Sequence, residues 1–465
     1  MFGNLLEPEI KSLIEAKNFT ALREEFKEWS PADLAELIAD LPRDEQVVMF
    51  RILPHNVATE TFEYLELDKQ CDLLRAMGHD ETTRLINQMS PDDRTAFLEE
   101  LPPKAVTQML GLLSPGERAV ATSLLGYPEH SVGRLMTPDF VAVRDEWTVK
   151  QTLDHIRTHG RDSETLNVIY VVDEQGNLID DVRIRQFLLA PLDAHIHSIR
   201  DHAFVALKVT DVETDAVDVF KKYDRNTLPV VDSHGVLVGI VTIDDVLDVV
   251  EEETTRDIQK IGGMEALDEP YSTISFWRMI KKRATWLIIL FLSEMLTATA
   301  MGHYEDKIMQ AAVLAVFLPL IISSGGNSGS QATTLIIRAM AVGEVRLRDW
   351  WRIAGREVST GLSLGVILGV IGFCRIVLWQ FLHFADYGQH GQNPWLVAAT
   401  VGCSLVGVVG WGSLAGAMLP FALRACRIDP ATSSAPFVAT LVDVTGLVIY
   451  FTVASLILLR GAPGG

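Results

Sequence analysis

The sequence predicts a multidomain membrane protein with an α-helical superhelical N-domain, an α/β pair of repeated units and a five-helix α transmembrane domain. Three observations predict it. Charge is divided unevenly along the 465 residues: the formal net charge is −21, yet residues 1–270 hold 26 basic and 52 acidic side chains while 271–465 hold 14 and 9. Five long apolar runs fill the second part, and two different internal repeats fill the first. A soluble domain joined to a membrane domain fits this asymmetry. The expected divisions are 1–130 for the N-domain, 131–196 and 197–250 for the two α/β units, 244–270 for an acidic connecting helix and 271–465 for the membrane domain.

Composition excludes several function classes. Neutralising phosphates needs Lys and Arg, so an acidic front half argues against nucleic acid as a partner. Cys71, Cys374, Cys403 and Cys426 are scattered without CxxC or zinc spacing, which points neither to disulfides nor to a metal site. HExxH and phosphate-loop patterns do not occur, so the chain does not read as an enzyme. The opening MFGNLLEPEI has no basic region and no long apolar stretch, so no secretory leader is expected and the front half is expected in the cytosol.

Leu41, Leu53, Leu65, Met77, Met89, Leu101 and Leu113 recur every twelve residues, several followed by Pro or Asp, as in Leu41-Pro42-Arg43-Asp44 and Met89-Ser90-Pro91-Asp92. Ser or Asp beside Pro suits a helix start, where Pro is tolerated in the first turn. Residues up to about 125 therefore read as stacked short helices. A second repeat follows. Ile169-Tyr170-Val171-Val172-Asp173-Glu174-Gln175-Gly176 recurs as Leu228-Pro229-Val230-Val231-Asp232-Ser233-His234-Gly235. Each unit reads strand, helix, strand, Asp-x-x-Gly turn, strand, helix.

Beyond the second unit comes the acidic run 244–257. As a helix it places Leu247, Val250, Thr254, Ile258 and Ile261 on one side and Asp244, Asp248, Glu251 and Glu252 on another. A solvated acidic face is one reading. The other is a helix held by divalent cations, since hard ions such as Mg²⁺ take carboxylate and water oxygens. Arg256 within the run lowers its charge.

The apolar runs lie near 284–301, 308–337, 358–381, 394–423 and 436–459, each long enough for about 30 Å of hydrocarbon. Lys281–Arg283, the arginines from Arg338 to Arg356, and Arg424 with Arg427 all fall on the side of the N-terminal domain, whereas the opposite loops hold one basic residue or none. The positive-inside rule then places the N-terminus in the cytosol and the C-terminus outside. The second run contains Gly325-Gly326-Asn327-Ser328-Gly329-Ser330-Gln331, in which small residues either let helices pack closely or open the backbone to a water path. In the fifth, Asp443 is a carboxylate at membrane depth, costing at least about 2.5–3.5 kcal/mol at the bilayer centre. It calls for an ion or a cationic partner. Arg375 in the third run would be that partner in a purely structural pair, and Glu294 in the first is the other intramembrane acid. Thr440, Thr445 and Gly446 keep the Asp443 neighbourhood polar and open, which favours an ion path.

The two α/β units resemble a tandem CBS-domain pair, a family that often binds an adenine nucleotide between its halves. The ribose-binding Thr-x-x-Asp of that family would be Thr242 and Asp245. Arg183 and Gln186 hold the matching places in the first unit, so one half-site reads as lost and ATP has only the other. With the helical N-domain, the acidic helix, the Tyr127–Thr137 segment, the Gly325–Gln331 run and Pro436–Gly446, the chain resembles the MgtE-type magnesium channels and transporters over nearly its whole length.

That resemblance implies a homodimer in the plasma (inner) membrane, importing Mg²⁺ through a pore on the two-fold axis. Asp443 would bind a largely hydrated ion, Ala439 and Gly446 would offer backbone carbonyls, and Gly325, Gly326, Asn327 and Gly329 would line the path. It also implies a cytosolic Mg²⁺ sensor that closes the pore. The candidates are Asp244, Asp245, Asp248, Glu251, Glu252, Glu253 and Asp257 on the acidic helix, faced by Asp224 and by Asp92 or Asp93, with Asp429 meeting that helix from the last cytosolic loop. Two rivals predict different outcomes: a carrier of Co²⁺, Mn²⁺ or Zn²⁺, disfavoured because no His or Cys adjoins Asp443, and a membrane-anchored nucleotide receptor.

Overall fold

The computed structural model describes residues 10–458 apart from 11, 15, 17, 268–270, 272–273, 311, 385–386 and 388–392. The first nine residues, most of the 383–393 loop and the last residue of the fifth apolar run lie outside the described residues. The chain divides into two compact units, Met1–Glu252 and Glu253–Gly465.

From Phe19 on, the first unit runs through nine short α-helices: α1 Phe19–Glu25, α2 Pro31–Asp40, α3 Arg43–Ile52, α4 His55–Glu63, α5 Leu67–Ala76, α6 His79–Gln88, α7 Pro91–Glu99, α8 Pro103–Leu112 and α9 Pro115–Leu125. The twelve-residue period has a local cause. Leu41, Leu53, Met77, Met89 and Leu113 are the extended residues that end α2, α3, α5, α6 and α8. Each turns the chain inward, and Leu41, Leu53, Met89 and Leu113 are buried there. Pro stands in the first turn of α2, α7, α8 and α9, where its missing N–H leaves no bond unmade. Ser30 and Ser114 accept the Asp33 and Glu117 amides at 3.2 and 3.3 Å. Helices α1 to α4, α6 and α7 each pack on the one two places along, building a superhelix around Leu34, Phe62, Leu73, Ile86 and Leu98.

A short helix α10, Val132–Leu135, leads to the two α/β units. The first comprises β1 Ala142–Arg144, α11 Val149–His159, β2 Val168–Val172, β3 Leu178–Arg183 and α12 Ile184–Leu189; the second comprises β4 Leu207–Lys208, α13 Glu213–Tyr223, β5 Thr227–Val231, β6 Leu237–Thr242 and α14 Ile243–Ile261. In both sheets the outer pair is parallel and the hairpin antiparallel. The Asp173 and Asp232 carboxylates each accept amides two and four residues on, which fixes the turns. These turns also bond to each other, Leu178 N–H to the Gly235 carbonyl and Leu237 N–H to that of Gly176, both at 3.0 Å. Although contiguous with the first unit, Val132 and Met136 pack in the core of the second, and Thr137 pairs with Ile240.

One expectation about α14 needs correction. Leu247 and Ile258, assigned to its apolar side, are 59% and 65% exposed, whereas Val246 and Val249 are buried. The helix packs on its own α/β unit through the neighbouring stripe, because that is where the core of β5 and β6 lies.

The second unit holds five helices long and apolar enough to cross a membrane: α15 Phe276–His303, α17 Val313–Ala341, α18 Trp350–Phe381, α19 Pro394–Ala425 and α20 Ala435–Ile457, with the short α16 Glu305–Gln310 between the first two. Helices α17, α19 and α20 pack on one another, α18 packs on α19, and α15 lies against α20. The glycine-rich run does not break α17. A side chain on Gly412 or Gly416 of α19 would strike the backbone of Gly325 or Gly329, so these glycines set the close crossing of α17 and α19. Two hydroxyl bonds reinforce it, Ser328 with Ser413 at 2.6 Å and Thr333 to the Gly416 carbonyl at 2.7 Å.

Candidate functional site

At membrane depth the site is built from three helices. Asp443 lies half-buried on the third turn of α20, and α17 presents Gly326 to it. A Cβ built on Gly326 would lie 3.8 Å from Asp443 Oδ1 and 3.4 Å from Ala439 Cβ. From α15 the Glu294 side chain comes within hydrogen-bonding reach of Asp443. Arg375 is not a partner: its guanidinium lies 4.9 Å from the centre of the Trp379 ring, one turn along α18, a distance suited to a cation–π contact. Asp443 therefore has an acid beside it, a glycine opposite and, among the described residues, no cationic partner.

The other expected pore residues divide. Ala439 joins Gly326 and Asp443. Gly325 and Gly329 do not, because they are spent on the crossing with α19. Gly446 turns toward Val408 of α19, 3.0 Å from where its Cβ would stand. Asn327 is exposed, its amide 3.5 Å from Ser323 Oγ. Since α20 is unbroken, the Ala439 and Gly446 carbonyls already serve its helical ladder, leaving one lone pair each. The Thr440 and Thr445 hydroxyls donate to the Pro436 and Leu441 carbonyls at 3.0 and 2.9 Å.

In the first unit a second constellation forms around Asp92. This residue is 8% exposed, and its Oδ1 is buried without a hydrogen-bond partner. Burial pushes its carboxyl well above the usual range, and the nearby charges of Asp245, Asp93 and Glu164 add to the shift. Asp245, at the start of α14, is pushed up to about 7 by desolvation and then by Asp244 and Asp93, against the opposing hydrogen bonds from Thr242. Asp93 and Asp248 are raised by desolvation, then by Asp244 and by Asp93 respectively. Asp93 is tied down by the Ser90 hydroxyl at 2.7 Å. Two members were missed by sequence reasoning. Glu164, in the loop after α11, is raised by desolvation and then by Asp244, Asp93 and Asp139, and Asp139 is itself raised by desolvation and then by Glu117. Neither carries a periodic or motif signal.

Of the remaining sensor candidates, Glu251 adds its charge to Asp248. Asp224 instead ends α13 in the left-handed region, with φ 51°. Asp257 and Asp429 meet within the second unit: partial burial raises Asp257, Asp429 adds to the rise, and Lys260 opposes it. Lys260 Nζ stands 2.6 Å from Asp429 Oδ2. Glu253 pairs with Arg256 at 3.2 Å. Among the described residues, no three His, Cys, Asp or Glu side chains converge into a ready-built metal site.

For a nucleotide, Asp245 Oδ2 accepts both the Thr242 amide at 3.2 Å and its hydroxyl at 2.7 Å. In the first unit Gln186 caps the Arg183 amide at 3.1 Å. The two positions are structurally equivalent, and only the second offers a carboxylate.

Residues 318–453 match the family described as divalent cation transporter, 29–130 the MgtE intracellular N domain, and 132–193 and 199–252 the CBS domain. The magnesium transporter MgtE of Thermus thermophilus is 36% identical over 456 residues, 97% of this chain and 98% of that one. The chain belongs to the MgtE family of magnesium transporters. MgtE of Bacillus subtilis is 26% identical over 428 residues, 92% of each chain. The crystal structure of the soluble part of a magnesium transporter, 23% identical, matches with a TM-score of 0.51 over 54% of this chain and 99% of that one, and so shares the fold of the front half. Within the MgtE frame, Asp443 and Gly326 fall in the transporter region and Asp92 in the N domain. The chain is thus a multi-pass membrane protein of a transporter family, which is not an enzyme class.

Proposed function

We propose that this MgtE-family chain carries Mg²⁺ across the membrane along a path that passes Asp443, and that Mg²⁺ gathered by its acidic front half closes that path. One observation carries the first statement: Asp443 faces Gly326 and Glu294 and, among the described residues, has no basic partner. An uncompensated carboxylate at that depth is costly, and a passing dication offsets the cost. Mg²⁺ retains most of its water, so Asp443 acts through the hydration shell, with the Ala439 carbonyl beside it. Transport by a homodimer in the plasma (inner) membrane, with the N-terminus in the cytosol and the C-terminus outside, completes the reading. Co²⁺ or Mn²⁺ would pass by the same oxygens with less discrimination.

The sensor consists of Asp92, Asp93, Glu164, Asp244, Asp245 and Asp248, with Asp257 and Asp429 as a further acidic pair. At low Mg²⁺ these charges repel one another, and divalent ions between them restore attraction. Moving an equilibrium from 1:99 to 99:1 takes about 5.5 kcal/mol of differential binding, so several ions act together and closure is steep in Mg²⁺. ATP has no necessary part. A ribose would find only Thr242 and Asp245, and Asp245 already serves Thr242 and the acidic cluster.

Mg²⁺ flux into liposomes containing the full chain tests the proposal. Asp443→Ala and Asp443→Asn are expected to reduce flux to the background of empty vesicles. Wild-type flux in both variants removes Asp443 from the path.

A further inference from the structure

Trp286, in the third turn of α15, lies between the end of the acidic helix and the start of α20. Its indole N–H donates to Ser434 Oγ at 3.1 Å. Ser434 is fully buried and is the N-cap of α20, accepting the Phe437 amide at 3.4 Å. On its other side the indole meets the chain just beyond α14. Gly263 has φ 76° there, and a Cβ on it would come 3.0 Å from Trp286 Nε1 and 3.1 Å from Pro436 Cγ. Only glycine takes that conformation without strain. No other side chain would leave the indole where it is.

Two polar contacts fix the same corner. Lys260, in the last turn of α14, pairs with Asp429 at 2.6 Å, and Asp429 caps the turn before α20 by accepting the Ala431 amide at 2.9 Å. Glu265 follows Gly263, donates its amide to the Lys282 carbonyl at 3.3 Å and lies 3.3 Å from Lys282 Nζ. The end of α14 is thereby tied to the starts of α15 and α20. Along α20, Asp443 is nine residues beyond Ser434, or about 14 Å of helix, so a shift of the cap moves Asp443 with it.

We propose that Trp286 is a positioning residue for closure of the ion path, whose N–H, seated between Gly263 and Ser434, couples the end of the acidic helix α14 to the helix that carries Asp443. This rests on the reading that Mg²⁺ at the acidic half closes the path. The bond to Ser434 is a single neutral hydrogen bond. Losing it weakens the coupling without removing any group that meets the ion.

The test is Mg²⁺ flux through the full-length protein in liposomes, measured against Mg²⁺ on the side of the acidic domains. Trp286→Phe keeps a ring and loses the donor, while Ser434→Ala loses the acceptor and Ser434→Thr keeps it. The Mg²⁺ concentration for half-closure is expected to rise about two- to tenfold in Trp286→Phe and Ser434→Ala, the worth of one neutral hydrogen bond. It is expected to stay at the wild-type value in Ser434→Thr, with flux at low Mg²⁺ unchanged in Trp286→Phe and Ser434→Thr. A wild-type midpoint in both Trp286→Phe and Ser434→Ala, beside a wild type that closes, overturns the coupling role alone. A wild type whose flux does not fall with Mg²⁺ overturns the sensor reading and this inference with it.

Discussion

Gly326 stands opposite Asp443, and the 3.8 Å from its would-be Cβ to the carboxylate is the clearance that any larger side chain would take up. The geometry grades the outcome. An alanine meets Ala439 Cβ at 3.4 Å, ordinary contact, so Gly326→Ala is expected to fold and to lower Mg²⁺ flux modestly, by less than about fivefold. Gly326→Leu puts a branched chain against the carboxylate and is expected to lower flux by more than about tenfold. Flux of the two variants in liposomes, normalised to inserted protein, checks the order, and equal flux in both contradicts the placement of Gly326 beside the path.

Glu294 shares the Asp443 neighbourhood. With two acids present, replacing Glu294 by Gln removes one negative charge while keeping shape, so Mg²⁺ should be held more weakly against monovalent ions. The expected result is a rise in the Mg²⁺ concentration for half-maximal flux, with a smaller effect than Asp443→Asn. Concentration–flux curves for both variants measure it.

Asp92 is buried with an unpartnered oxygen among like charges. Asp92→Asn removes the repulsion at nearly constant volume. The variant is expected to melt higher than wild type in EDTA and to gain less from added Mg²⁺, by a few degrees in each case. Thermal melts of the full chain with EDTA and with saturating Mg²⁺ decide this, and an undiminished Mg²⁺ gain would exclude Asp92 from the sensor.

The pH dependence has a definite sign. Asp245 is raised from its ordinary range to about 7 in the folded chain, chiefly by desolvation. The folded state therefore binds protons that the unfolded state releases, and this stability is full below the ordinary carboxylate range and lost as pH rises through about 7. Mg²⁺ replaces those protons. The gap between melting temperatures with Mg²⁺ and with EDTA is expected to widen from pH 5 to pH 8. A constant gap would mean that the cluster does not bind the ion.

Much of this was legible in the sequence, and for nameable reasons. Asp443 was conspicuous because a charge in an apolar run must be compensated. Leu41, Leu53, Met89 and Leu113 were legible because their period is the length of one helix and its turn. The equivalence of Thr242–Asp245 with Arg183–Gln186 followed from the repeat. Glu164 and Asp139 were not legible, since they reach Asp93 and Asp244 only after separate elements have packed. Leu247 and Ile258 misled because helical spacing defines stripes without saying which stripe meets the core. Gly325 and Gly329 misled for a related reason: small residues serve a helix crossing and an open path equally well, and only the facing Gly412 and Gly416 distinguish the two.

The reciprocal bonds between the Gly176 and Gly235 turns have a consequence for how the front half comes apart. Each hairpin ends on the other, so neither α/β unit can fray at its tip without exposing the backbone of its sibling. The pair should melt as a single cooperative block, and lengthening either hairpin by one residue should loosen both halves together.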